Sequence, residues 1–300
     1  MSEKGFGYAY TNTRVRVMKA KLIHPTEYSK LLKMSLDQIA RYLQETEYKK
    51  EIDELGTKFG GADLIEYAIN KNLTNSFKKI LNFSLKDSKT TIKAFLKKYD
   101  IWNIKTILRG KQSKETEEEI LQNLIPAGEL NEGFLKEVVK KANSVQEAIE
   151  FFKNTEYYEV LKSNSANLTE LEDKLDIKYH IERINSSTGK IKNLYEIKAR
   201  GLDALNTART KETKIKMKRI LPEKKSVKSK PVEDLKKARI ELRQKLSEKG
   251  RRIVNKFERS TAPVIGYFFA KENEVDNLRI ITRGKHSGLS QELIEQQLVY

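Results

Sequence analysis

The segment Asp100-Ile101-Trp102-Asn103-Ile104-Lys105-Thr106-Ile107-Leu108-Arg109-Gly110-Lys111 returns 174 residues later. There it reads Glu274-Val275-Asp276-Asn277-Leu278-Arg279-Ile280-Ile281-Thr282-Arg283-Gly284-Lys285. Acid, Asn, Arg, Gly and Lys keep their places, and apolar residues recur at i+3 and i+4 in both copies, which predicts the same amphipathic helix twice. A weaker third copy begins at Asp203-Ala204-Leu205-Asn206 and ends at Ile220-Leu221-Pro222, echoing Leu124-Ile125-Pro126 after the first. Outward from these segments, Thr46-Glu47-Tyr48 is matched by Thr155-Glu156-Tyr157, and an acid-bearing helix is expected around Glu66, Glu172 and Glu258.

The rest of the chain reads as helix too. Tyr28 to Glu45 carries Leu31, Leu32, Leu36, Ile39, Ala40 and Leu43 on one face, and Ile92 to Leu108 repeats the pattern with Phe95, Leu96, Tyr99 and Ile104. Five prolines punctuate these segments rather than interrupt them. Alternation of period two is confined to Arg14-Val15-Arg16-Val17, where Val15, Met18 and Leu22 suit a helix equally well. The expectation is an all-α chain of three divergent helical repeats: 1–128, 129–222, and a shortened third over 232–300 after a basic linker at 223–231.

Composition narrows the chemistry. The 300 residues are 38% hydrophobic and 34% charged, as a folded and well-solvated chain requires. The absence of cysteine removes disulfides, thiolate metal sites and thiol nucleophiles, and His24, His180 and His286 are scattered. The longest apolar run, Ala262 to Ala270, is too short to cross a bilayer. The opening MSEKGFGYAY has no apolar signal core, so a cytoplasmic location is expected. No GxxxxGK[ST] loop or nucleophile signature occurs, and Gly60-Gly61-Ala62-Asp63 reads as a break before a helix. No catalytic residue, cofactor site or metal site is expected.

The net charge of +17 favours an anionic partner. Ten Lys or Arg against Glu212 and Glu223 lie between Leu205 and Pro231, and the run Lys211 to Lys230 reads either as an electrostatic docking segment or as a solvated crossing. It lacks the interleaved aromatics on which single-strand binders stack bases. Arg109-Gly110-Lys111 and Arg283-Gly284-Lys285 admit a phosphate-binding reading, but the preferred one is helix-end chemistry, with cations opposing the dipole and Gly turning left-handed. Asn103, Asn206 and Asn277 are poor helix formers in mid-helix; each is expected to bond a neighbouring helix or loop within its repeat, and Glu66, Glu172 and Glu258 to pair with a base of their own repeat. Asn103, Arg109, Lys111, Asn206, Asn277, Arg283 and Lys285 are thus the candidate partner-interface or structural repeat positions.

Four stretches in order resemble the family formed by the C subunits of archaeal A-type ATP synthases, which includes the d subunit of eukaryotic V-type ATPases. They are Tyr8 to Leu22, Tyr99 to Lys111, Leu124 to Leu130, and Ala270 to Lys285. The resemblance implies a funnel of three pseudo-symmetric helical domains. It implies a non-catalytic part of the central rotor, one that links the shaft subunits to the membrane ring carrying protons or sodium, during ATP synthesis or ATP-driven ion transport. The partners implied are those shaft and ring subunits, with peripheral contact at the cytoplasmic face of the cell membrane and no nucleic acid. A basic helical scaffold for nucleic acid or the ribosome is the alternative. The chain departs from the family between about Ile177 and Phe257, where the spacings are compressed: Asn206 to Pro222 is 16 residues, against 23 from Asn103 to Pro126.

Overall fold

A computed structural model of the chain describes residues 3–163, 167–205, 232–255 and 260–300. Among them the secondary structure is helical, with no strand. Asn206, Glu258 and the run from Lys211 to Lys230 lie outside the described residues.

The chain divides into two compact units, residues 1–92 with 239–300, and residues 93–238. These compact units are not divided at the expected repeat bounds of 128 and 222. The physical reason lies in the first unit, where a helix near the C-terminus is buried against helices near the N-terminus, so that both ends of the sequence share one core.

That unit contains α1 (Glu3–Ala20), α2 (Pro25–Leu31), α3 (Leu36–Gln44), α4 (Lys49–Leu55) and α5 (Gly61–Phe83). From the far end come most of α13 (Val232–Asn255), then α14 (Ala262–His286) and α15 (Gln291–Glu295). Every residue of α14 from Ala262 to Ala270 is buried, and a helix apolar all round must be enclosed by others. It packs on α5, α1 and α3. Phe77 and Phe268 meet there with ring centroids 4.4 Å apart. Two such fully buried rings each contribute roughly 3 kcal/mol by burial alone.

One expectation fails here. Tyr28 to Glu45 is not a single helix: α2 and α3 are separated at Leu32–Ser35, because Ser35 caps the second with a reciprocal bond to Gln38. The side chain of Ser35 accepts from the Gln38 N–H at 3.3 Å and the Ser35 N–H donates to Gln38 Oε1 at 2.8 Å.

The second unit begins within α6 (Lys86–Ser113), which contains Ile92 to Leu108 as the periodicity requires. It continues through α7 (Glu117–Gln122), α8 (Glu132–Lys141), α9 (Val145–Phe151), α10 (Tyr158–Leu161), α11 (Leu168–Ser186) and α12 (Gly189–Leu205). Phe95, Leu96, Ile104, Ile107 and Leu108 line its core along α6. The Tyr179 hydroxyl fixes α11 to that helix by donating to the Phe95 carbonyl at 3.0 Å.

Candidate functional site

The repeated residues of α6 and α14 make the same bonds in their separate units. Asn103 is fully buried; its amide donates to the Ile125 carbonyl at 2.9 Å and its Oδ1 accepts the Ile125 N–H at 2.7 Å. Asn277 does the same to Val299, at 2.6 and 3.1 Å. One amide side chain thus satisfies both polar groups of a single buried residue that follows the helical hairpin. This explains a poor helix former in mid-helix.

Lys111 donates to the Val139 carbonyl at 2.6 Å, and Lys285 to the Leu32 carbonyl at 2.7 Å. Arg109 grips Glu172 through Nε and Nη2, and Arg283 grips Glu66 through the same two nitrogens. These two-pronged, charge-assisted bonds hold both guanidinium groups above their ordinary pKa.

The expected pairing within each repeat is therefore corrected. Arg109 takes Glu172, which lies beyond the expected bound at 128, and Arg283 takes Glu66, at the other end of the sequence. Sequence repetition marks Arg109 and Arg283 as equivalent, but the acid each one bonds is set by the tertiary packing and not by the local pattern.

The glycines are corrected as well. Gly110 and Gly284 lie inside their helices rather than turning left-handed at the ends. A Cβ on Gly110 would stand 2.4 Å from Ile120 Cγ1, and one on Gly284 would stand 2.6 Å from Ile294 Cγ1. Each is a notch that admits the short helix folding back beside it. The left-handed residues come four positions later, Lys114 at φ 58° and Gly288 at φ 68°. There the N–H groups of Glu115 and Leu289 close the helices onto the carbonyls of Gly110 and Gly284, both at 2.9 Å.

A buried acid stands at the head of each repeated segment, a role that the sequence pattern alone does not reveal. Asp100 is completely buried and accepts the N–H groups of Glu129 and Leu130, both at 2.9 Å, and the Tyr157 hydroxyl at 3.0 Å. Burial pushes its carboxyl up to about 6, and the Tyr157 hydroxyl upward too. A Cβ at Gly128 would stand 2.1 Å from Asp100 Oδ1, so the loop wraps the carboxylate directly.

Glu274 accepts the Ile23 N–H and, at 2.7 Å, the Tyr48 hydroxyl. It differs in having Lys271 within its buried cluster, 2.7 Å from the carboxylate and 2.9 Å from the Tyr48 oxygen. The match of Thr46-Glu47-Tyr48 to Thr155-Glu156-Tyr157 is the available signal, since Tyr48 and Tyr157 are the two hydroxyl donors.

In both units the repeated side chains bond backbone groups and acidic side chains of the same unit. Among the described residues no group of three or more His, Asp or Glu is placed to hold a metal ion. No described helix is long and apolar enough to cross a membrane.

The sequence model of the ATP synthase (C/AC39) subunit family matches residues 11–210 and 195–297. The C subunit of the A-type ATP synthase of Methanosarcina mazei is 35% identical, covering 97% of this chain and 92% of the relative. That alignment runs over 334 positions, more than the 300 residues here, so the relative carries segments that this chain lacks. The corresponding protein of Archaeoglobus fulgidus is 32% identical over 97% of this chain and 96% of the relative, and that of Haloferax volcanii 29% identical over 97% of each. Matched from residue 11 to residue 297, the chain belongs to the ATP synthase (C/AC39) subunit family and is an accessory component of an A-type ATP synthase.

Proposed function

We propose that this chain couples the central shaft of the synthase to the ion-carrying membrane ring, as a piece of the rotor with no chemistry of its own. Three pseudo-symmetric helical repeats, over 1–128, 129–222 and a shortened 232–300, form a funnel that receives the shaft. Its base stands on the ring at the cytoplasmic face of the cell membrane, so that rotation driven by protons or sodium ions reaches the catalytic head, or returns from it.

The observation that carries this reading is the doubled set of fasteners. A part that transmits torque by contact must resist shear between its own helices, and buried bonds from Asn103 to Ile125 and from Asn277 to Val299 oppose such sliding. Asn103, Arg109, Lys111, Asn277, Arg283 and Lys285 serve as structural repeat positions on this reading, with Asn206 as their counterpart in the middle repeat. The other subunits of the synthase are the partners.

The test is to measure ATP hydrolysis and ion uptake on the same reconstituted vesicles, with and without this protein. Hydrolysis should persist in the depleted complex and ATP-driven ion uptake should be lost. Uptake that continues without it removes the chain from the torque path.

A further inference from the structure

The cleft between α1 and α5, inside the first compact unit, takes no part in the fasteners described above. It is a shallow, open hollow of about 500 Å³, lined by Arg14 of α1 and by Asn75, Lys78, Lys79, Asn82 and Phe83 of α5. Its charge is one-sided. From Tyr8 to Leu22 the sequence places Arg14, Arg16, Lys19 and Lys21 with no acid, and from Lys71 to Phe83 it places Lys71, Lys78 and Lys79 with no acid. The nearby acids are engaged elsewhere: Glu47 with Lys21 at 2.7 Å, Glu54 with Lys71, and buried Glu51 with the amides of Asn72 and Asn75. Arg14 and Lys79 have no acidic partner among the described residues.

Arg14 is nevertheless held in place. Its guanidinium lies 4.5 Å from the Phe83 ring centre and 5.5 Å from that of Tyr10, and it donates to the Tyr10 hydroxyl. Apolar side chains stand open on the same two elements: Tyr10 is 45% exposed, Val17 56% and Leu85, just past the end of α5, 45%. Tyr10, Arg14 and Val17 follow one another at i, i+4 and i+7, a single stripe along α1 that Lys21 continues in the turn after it. Exposed Tyr and Arg beside uncovered apolar groups is the composition of a protein interface core. Cations and amides along an open hollow between two helices suit the ridge of a third helix, whose carboxylates reach Arg14 and Lys79 while its apolar residues meet Tyr10 and Phe83.

We infer that the α1–α5 cleft is a docking groove for an acidic amphipathic helix of a partner protein, whose carboxylates engage Arg14 and Lys79 and whose apolar residues cover Tyr10, Phe83 and Leu85. The inference names a surface of this chain and stands independently of the coupling role, so its test uses the isolated full chain.

The probe is a fluorescein-labelled synthetic helix with Glu and Leu segregated to opposite edges of one face, and its binding is read by fluorescence anisotropy. A scrambled peptide of the same composition and vesicles of anionic phospholipid serve as comparisons. The amphipathic probe should bind at least about tenfold more tightly than the scrambled one. Arg14→Glu with Lys79→Glu should cost about tenfold or more, while Lys136→Glu with Lys141→Glu, an equal charge change on α8, should cost little. Arg14→Gln with Lys79→Gln repeats the test should the reversed variant lose its helical circular dichroism. Equal binding of both peptides overturns the inference, as does indifference to Arg14 and Lys79. Vesicle binding that falls with those two substitutions while peptide binding does not would assign the cleft to lipid and likewise overturn it.

Discussion

Arg283 and Glu66 are 217 residues apart in sequence and joined by two hydrogen bonds, from Nε and Nη2 to the two carboxylate oxygens. The arginine side chain is 64% exposed and the glutamate 12%. Solvent screening on the arginine side limits the pair to about 1 kcal/mol. Arg283→Ala should cost roughly that amount, and Arg283→Glu about 2 kcal/mol, because it sets a second carboxylate against one that is mostly enclosed. Exchanging the charges, with Arg283→Glu and Glu66→Arg together, should recover part of the loss. Urea unfolding of the four proteins measures the coupling, and strict additivity of the two single changes would show that the pair contributes nothing.

Asn103→Ala and Asn277→Ala should be more damaging than either ion-pair change. Each strands a buried N–H and a buried C=O, costing about 2 to 4 kcal/mol in all. Thermal unfolding should show a fall of several degrees for each. A shift comparable to that of a surface alanine substitution would mean that water replaces the amide without loss.

Gly110 and Lys114 predict opposite signs within one helix end. Gly110→Ala drives a methyl into Ile120 and should destabilise by about 1 to 3 kcal/mol, with relief when Ile120 is shortened to Val or Ala. Lys114→Gly removes a Cβ from a left-handed residue and should stabilise by about 0.5 to 1 kcal/mol. Differential scanning calorimetry of the two variants checks both, and a stabilising Gly110→Ala would refute the notch.

Asp100 should make the second unit sensitive to pH. Its folded carboxyl titrates at about 6, above the ordinary carboxylate value, so the folded form holds the proton more firmly than the unfolded chain does. The stability it contributes is complete below about pH 4 and is lost as pH rises through 6, a change of about 2 to 3 kcal/mol. Glu129 and Tyr157 face the carboxyl from the loop and the turn packed on it. Lys97, on its own helix, is engaged with Glu156 and Glu129. A carbon-detected titration of the Asp100 carboxyl should give a midpoint near 6; a midpoint near 4 would mean that the three donated hydrogen bonds outweigh burial.

The helices were legible because they rest on local periodicity, and Asn103 and Asn277 stood out because Asn in mid-helix demands a partner. What the sequence could not supply was the partner's address. The residues bonded by α6 lie downstream at Ile125, Val139, Tyr157 and Glu172, whereas those bonded by α14 begin downstream at Val299 and resume at Leu32, Tyr48 and Glu66. Nothing local distinguishes the two cases. Gly110 and Gly284 mislead for a related reason, since a glycine before a helix end looks the same whether it turns the backbone or makes room for Ile120 or Ile294. The break at Ser35 was readable, as Ser-x-x-Gln ahead of an apolar run marks a helix start, but the continuous stripe on either side obscured it.

The joining of α14 to helices of the first 92 residues sets an order of events on the ribosome. Residues 93–238 contain the sequence of a compact unit in one continuous stretch and can collapse as soon as they emerge. The helices before them cannot bury Phe77 until Phe268 has been made, nor can the Leu32 carbonyl meet Lys285 earlier. Through most of translation those N-terminal helices wait with an apolar face uncovered, the condition in which nascent chains aggregate or recruit chaperones.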